Sequence, residues 1–177
     1  MTDRAKMNVK LVAAGLLLVA AVAFGLSRMR DVANSGEEGS RIWFYDESQQ
    51  KLYAVPRDTL PPHRGVGGAS DDGVKAIVVA PLAQQGDAAQ RRIAYLETYT
   101  PELKKVLEDV RAAQVAGTRY EGTIPSGESE FFQKNTLVRR ASDSQWYEAG
   151  SDEARAIMSE WRRWRDSEGA PLVVCVP

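Results

Sequence analysis

Apolar residues are spread very unevenly along this chain. Leu11–Leu26, LVAAGLLLVAAVAFGL, carries no charge and no polar stripe, whereas the chain after Arg41 mixes apolar and polar positions at short periods. A segment apolar on every side suits a lipid span better than one face of a buried helix. Its sixteen residues rise roughly 24 Å as a helix, against a bilayer core of about 30 Å. Lys10 can lay its stem along the helix and keep its ammonium at the head groups. The segment is therefore read as an uncleaved transmembrane signal anchor. Ala21-Val22-Ala23 has the small-x-small form of a cleavage site, so a cleaved signal peptide is the rival reading. The apolar run continues through Phe24, Gly25 and Leu26, past the place where cleavage would fall. The amino terminus, Arg4, Lys6 and Lys10 outnumber Arg28 and Arg30, which predicts residues 1–10 in the cytoplasm and the C-terminal part outside. No cysteine follows the apolar run, which excludes a lipoprotein anchor there.

Residues 27–40 include Asn34-Ser35-Gly36-Glu37-Glu38-Gly39-Ser40, a polar, glycine-rich composition that predicts a flexible linker. Beyond it, Arg41–Tyr45 and Lys51–Val55 are aromatic and β-branched runs around a polar turn, a hairpin signal. Pro56 keeps the second strand from being a central one. Arg57–Asp72, with Pro61, Pro62, Gly65, Gly67 and Gly68, predicts a loop. Gly73–Ala80, ended by Pro81, predicts a buried strand.

Ala89, Ile93 and Leu96 fall at helical spacing and predict a first helix from Ala88. Thr100 and Pro101 break it and start a second, with Leu103, Val106, Leu107, Val110 and Ala113 on one face and Gly117 as its stop. Thr118–Asn135 reads as a loop. Thr136–Ala141 and Gln145–Glu148 predict a second hairpin. Ser151 caps a helix running to about Asp166, and Gly169-Ala170-Pro171 turns the chain into a last strand, Leu172–Val176. The predicted fold is α+β, with three amphipathic helices beside a mostly antiparallel sheet over 41–177.

Composition changes this picture little. The chain has 177 residues, 44% hydrophobic and 27% charged, as a folded domain does. From Arg41 onward, 18 basic residues face 20 acidic ones. No overall charge draws this part toward nucleic acid. One cysteine, Cys175, cannot close a disulfide within the chain, so an exported domain must rest on its core.

The candidate chemistry is sparse. His63 is the single histidine, and no nucleophile signature lies near it. One histidine and one cysteine are too few for a structural zinc site. Gly65-Val66-Gly67-Gly68 has the look of a phosphate cradle but lacks the Gly-Lys-Ser/Thr ending of a P-loop. Asp71-Asp72-Gly73 resembles a fragment of a calcium loop without its remaining ligands. Glu128 with Glu130, and Asp152 with Glu153, form no pair that can be set across a cleft. Trp161-Arg162-Arg163-Trp164-Arg165 is the one cluster suited to an interaction surface, since arginine and tryptophan together take anionic groups or grip a lipid surface. Ala154, Ile157, Met158 and Trp161 form a core-facing stripe, which puts the arginines on the wet side. Cys175 alternates within an apolar strand and reads as a buried thiol, with an intermolecular disulfide as the alternative. No catalytic, cofactor or metal residues are assigned.

Trp43-Phe44-Tyr45-Asp46, Lys51-Leu52-Tyr53 and Pro61-Pro62 resemble a family of uncharacterised planctomycete membrane-anchored proteins. Ile93-Ala94-Tyr95-Leu96-Glu97 followed by Tyr99-Thr100-Pro101-Glu102, then Leu137-Val138-Arg139-Arg140, Ile157-Met158, Cys175 and Pro177, continue the likeness over most of Arg41–Pro177. The family usually carries further cysteines after the strand matching Lys75–Ala80. Here Pro81–Asp87 has none, so no disulfide or metal role carries over. The resemblance implies a bacterial inner-membrane location and no catalytic residues. The expectation is a membrane-anchored extracytoplasmic binding module. Its partners would be the bilayer, through Leu11–Leu26, and a protein or other envelope component. The alternatives are a pilin-like subunit, or an enzyme with a site in the 57–72 loop.

Overall fold

The first hairpin forms as its pattern demands. In a computed structural model that describes residues 41–68, 71–122 and 128–177, β1 (Arg41–Asp46) pairs antiparallel with β2 (Lys51–Pro56), Arg41 opposite Pro56 and Asp46 opposite Lys51. Gln50 takes a left-handed φ of 52° to close the turn. Leu11–Leu26 and the linker 27–40 lie outside the described residues.

β3 (Gly73–Pro81) is the axis of the sheet, buried over most of its length. It pairs on one side with β4 (Arg92–Tyr99). On its other side it takes β1 along Gly73–Lys75 and β7 (Leu172–Val174) along Val79–Pro81, so two strands far apart in sequence share one flank. β5 (Thr136–Arg139) pairs with β4, and β6 (Tyr147–Glu148) with β5. All pairings are antiparallel, in the order β2-β1-β3-β4-β5-β6 with β7 beside β3.

β4 stands where the sequence pattern predicts a helix. The cause is a bulge: Ile77 opposes Tyr95, but Val78 opposes Ile93, leaving Ala94 as the extra residue. Alternation breaks there. Ile93 and Leu96 join the cluster of Val74, Ala76, Val78, Ala80 and Cys175, while Ala94 and Tyr95 join Val79 and Leu172 on the other face. Two apolar residues three apart on one face imitate a helix, and Ala89, which completes the imitation, is exposed in a single 3-10 turn.

The three helices among the described residues are α1 (Pro101–Val115), α2 (Glu128–Asn135) and α3 (Asp152–Glu160). Thr100 caps α1 by accepting from the Leu103 N–H at 3.3 Å, and Gly117 ends it at φ 67°. α2 lies in the stretch predicted as loop. Its buried Phe131 and Asn135, four apart, mark its inner face. Asn135 accepts from the Thr100 hydroxyl at 2.7 Å, joining α2 to the start of α1. α3 is shorter than predicted. It stops at Glu160, passes through a 3-10 turn, Trp161–Arg163, and leaves Trp164 extended. Arg165 then bridges to Pro171 across the turn that feeds β7. Ala154 and Ile157 of α3 pack on Val138 of β5. These described residues form one compact unit, Arg41–Pro177, of the α+β class.

Candidate functional site

Two places gather polar side chains, and they use them in opposite ways. The first is the loop between β2 and β3. Asp46, at the end of β1, is fully buried. Its Oδ1 accepts from the Ser48 hydroxyl and the Gln49 N–H, both at 2.8 Å, and its Oδ2 accepts from the Gly67 N–H at 2.9 Å. Asp72 Oδ1 accepts from the Gly65 N–H at 3.0 Å. The glycine run thus does cradle an anion, but the anions are the chain's own carboxylates. A Cβ on Gly65 would run into Asp72 Oδ1 and stand 2.6 Å from Asp46 Oδ2, so glycine is required there for space. The Gly67 amide above all, with those of Gln49 and Val66 and the Ser48 hydroxyl, holds the Asp46 carboxyl down at about 2 against the opposing effect of burial.

His63 sits in the same loop and stays exposed. Its backbone exchanges both hydrogen bonds with Gly73 at 2.8 Å. Its Nδ1 lies 3.0 Å from the Arg64 carbonyl, and its ring meets the edge of Phe44. Lys104 of α1 donates to the Pro62 carbonyl at 2.6 Å and reaches Asp71 at 3.7 Å, and Arg111 pairs with Asp58. The loop is therefore fastened to β1, β3 and α1 through Asp46, the His63 backbone, Lys104 and Arg111, while Asp72 Oδ2 is buried with no hydrogen-bond partner among the described residues. Pro61-Pro62 contains a cis peptide bond.

The second place is the corner after α3. Trp161 and Trp164 pack against Val79, Ala94 and Leu172. Arg162, Arg163 and Arg165 are exposed, as the sequence predicts. Arg165 donates to the Arg162 and Trp164 carbonyls at 2.9 and 2.7 Å and so closes the end of the turn. Arg162 and Arg163 have no hydrogen bond or ion pair among the described residues. Arg163 borders a cleft of about 400 Å³ with Arg140, Ala156, Ser159 and Glu160. Inside that cleft Arg140 is already paired, to Glu160 at 2.8 Å and Asp143 at 3.2 Å. The corner thus offers two uncommitted cations on a backbone fixed by two tryptophans.

One buried ion the sequence reading did not single out is Arg139. It is 7% exposed, stacks over Trp146 at 4.7 Å, pairs with Glu47 and donates to the carbonyls of Arg140, Ala141 and Asp143. Burial pulls its pKa down. Arg139 staples the turn between β5 and β6. An arginine following Leu137 and Val138 in a strand was the available signal. Cys175 is 2% exposed, and burial pushes its thiol up, so the buried-thiol expectation holds. Among the described residues, no group of three His, Cys, Asp or Glu could hold a metal ion, and no helix is long and apolar enough to cross a membrane.

No known family profile, curated protein or solved structure matches the chain.

Proposed function

We propose that the chain is a single-pass, membrane-tethered binding module of the bacterial envelope. Leu11–Leu26 anchors it in the inner membrane, 27–40 is the spacer, and Arg41–Pro177 stands outside the cytoplasm. The observation that carries the binding role is the corner at Trp161–Arg165. Arg162 and Arg163 are exposed and uncommitted, while tryptophans packed into the core hold their backbone in place. The 57–72 loop gives less support to an enzyme, because Asp46 and Asp72 accept from the loop's own amides. A pilin-like subunit shares only the outline of an apolar helix before an α+β head.

Topology tests the tether. In cells with a permeabilised outer membrane, protease is expected to cut near Ser35–Gly39 and release the domain. Arg4→Gln, Lys6→Gln and Lys10→Gln together are expected to blur or reverse the orientation, since positive charge sets it. A domain that stays protected until the inner membrane is lysed defeats this topology. A mature chain that begins near Phe24 and washes off membranes defeats the anchor.

A further inference from the structure

The five large hydrophobic residues exposed among the described ones are not scattered evenly. Val66, Val115 and Leu82 lie apart, but Val174 and Val176, 51% and 62% exposed, stand at and just past the end of β7. The register sets their place: Val174 opposes Val79, whose side chain packs with Leu172. Along β7 every second residue shares a face. Leu172 packs with Trp161 and Trp164, so Val174 projects on that same face, while Cys175, whose N–H still reaches the Val78 carbonyl at 2.9 Å, joins the opposite one and the exposed Val176 follows it. The arginine corner and the bare Val174 therefore share one side of the molecule.

We infer that this side rests on an anionic phospholipid surface, with Val174 and Val176 entering the head-group layer and Arg162 and Arg163 meeting lipid phosphates. The inference rests on the tethered reading and names the partner of its corner. Charge complementarity supports it: the two guanidinia have no acidic partner among the described residues. Apolar side chains rimmed by arginine, with tryptophan beneath, have the composition of an interfacial contact. Reach supports it as well, because the fourteen residues of Ser27–Ser40 span at most about 50 Å in any conformation. Asp166 and Glu168 mark the limit of the contact. They line a separate cleft with Leu82, Pro171 and Val173, and Asp166 Oδ1 is bound by the Glu168 and Ala170 amides.

The test uses the full chain in proteoliposomes made with brominated lipids, either phosphatidylcholine alone or with phosphatidylglycerol added. All four tryptophans lie beyond Arg41, so bromine quenching reads the domain and not the anchor. Quenching is expected with phosphatidylglycerol, weak with phosphatidylcholine, and reduced by Trp164→Phe. An arginine near an anionic surface is worth about fivefold in partitioning, so Arg162→Gln with Arg163→Gln is expected to weaken contact roughly 25-fold. Val174→Asp is expected to abolish it with an unchanged circular dichroism spectrum. Absent quenching in vesicles that float with the protein overturns the docking and leaves the tether. Equal quenching in both lipids overturns anionic recognition. A chain that washes off with carbonate but is still quenched by added anionic vesicles overturns only the tether. If it is neither inserted nor quenched, the docking is overturned too.

Discussion

Gly73→Ala isolates a cost of space from a cost of conformation. Gly73 is buried and its φ is not in the left-handed region, so alanine can adopt its backbone without strain. The new methyl would, however, run into the Tyr53 hydroxyl and stand 2.7 Å from the His63 carbonyl oxygen. The hydroxyl is the end of a side chain and can yield. The carbonyl cannot, because it accepts the Gly73 N–H at 2.8 Å in a two-bond bridge. Relief comes by compression, at about 1–3 kcal/mol for an overpacked site, or by opening the bridge, at about 1 kcal/mol for each of its two bonds. Alanine also lowers the freedom of the unfolded chain, which returns about 0.4–1 kcal/mol. The net expectation is a loss of roughly 1.5 kcal/mol in urea unfolding followed by tryptophan fluorescence, close to 5 °C in Tm. Tyr53→Phe in the same chain is expected to recover less than half of it, since it removes only the yielding contact. Gly86→Ala, with nothing within 4 Å of its methyl, serves as the neutral comparison. A Gly73→Ala chain no less stable than Gly86→Ala refutes the argument, and complete rescue by Tyr53→Phe reverses its ranking of the two contacts.

Acid titration should expose the Asp46 carboxylate. Its folded value, about 2, lies below its ordinary 3.8, so it adds stability above pH 4 that fades as pH falls toward 2. Asp46→Asn is expected to remove that part of the decline, which comparison of the two acid-unfolding curves checks. Ile157→Ala, at a site 2% exposed between α3 and β5, is expected to cost about 3 kcal/mol in chemical unfolding. Cys175 is expected to react with a thiol reagent only after unfolding, and rapid labelling of the native chain would place it at the surface and revive the intermolecular disulfide.

The sequence was most legible where one signal had one structural meaning. The Thr100-Pro101 start, the Gly117 stop, the Ser151 cap and the first hairpin all stand, because caps and turns are local chemistry. β4 was misread because a bulge displaced Ile93 and Leu96 onto one face, and a bulge is decided by the partner strand. α2 was missed because a short polar helix earns its place through Phe131 and Asn135 alone. At the loop, the glycines did signal an anion, but that its anions are Asp46 and Asp72 depended on a fold that brings residues 46, 65, 67 and 72 together. The exposure of Arg162 and Arg163 was legible from the α3 stripe. The neighbouring Val174 was not, since only the pairing of β7 with β3 sets it there.

That pairing also governs timing. One flank of β3 is shared by β1, made before it, and by β7, made more than ninety residues after it. Leu172 and Cys175 belong to the clusters on the two faces of the sheet, so neither face is sealed until both have left the ribosome. Contacts this distant in sequence form late and slowly. Without β7, the flank of β3 at Val79–Pro81 has no partner among the described strands, so closure of the sheet waits on that strand. In the tethered reading proposed above, that late closure would leave the chain open while it is threaded across the membrane.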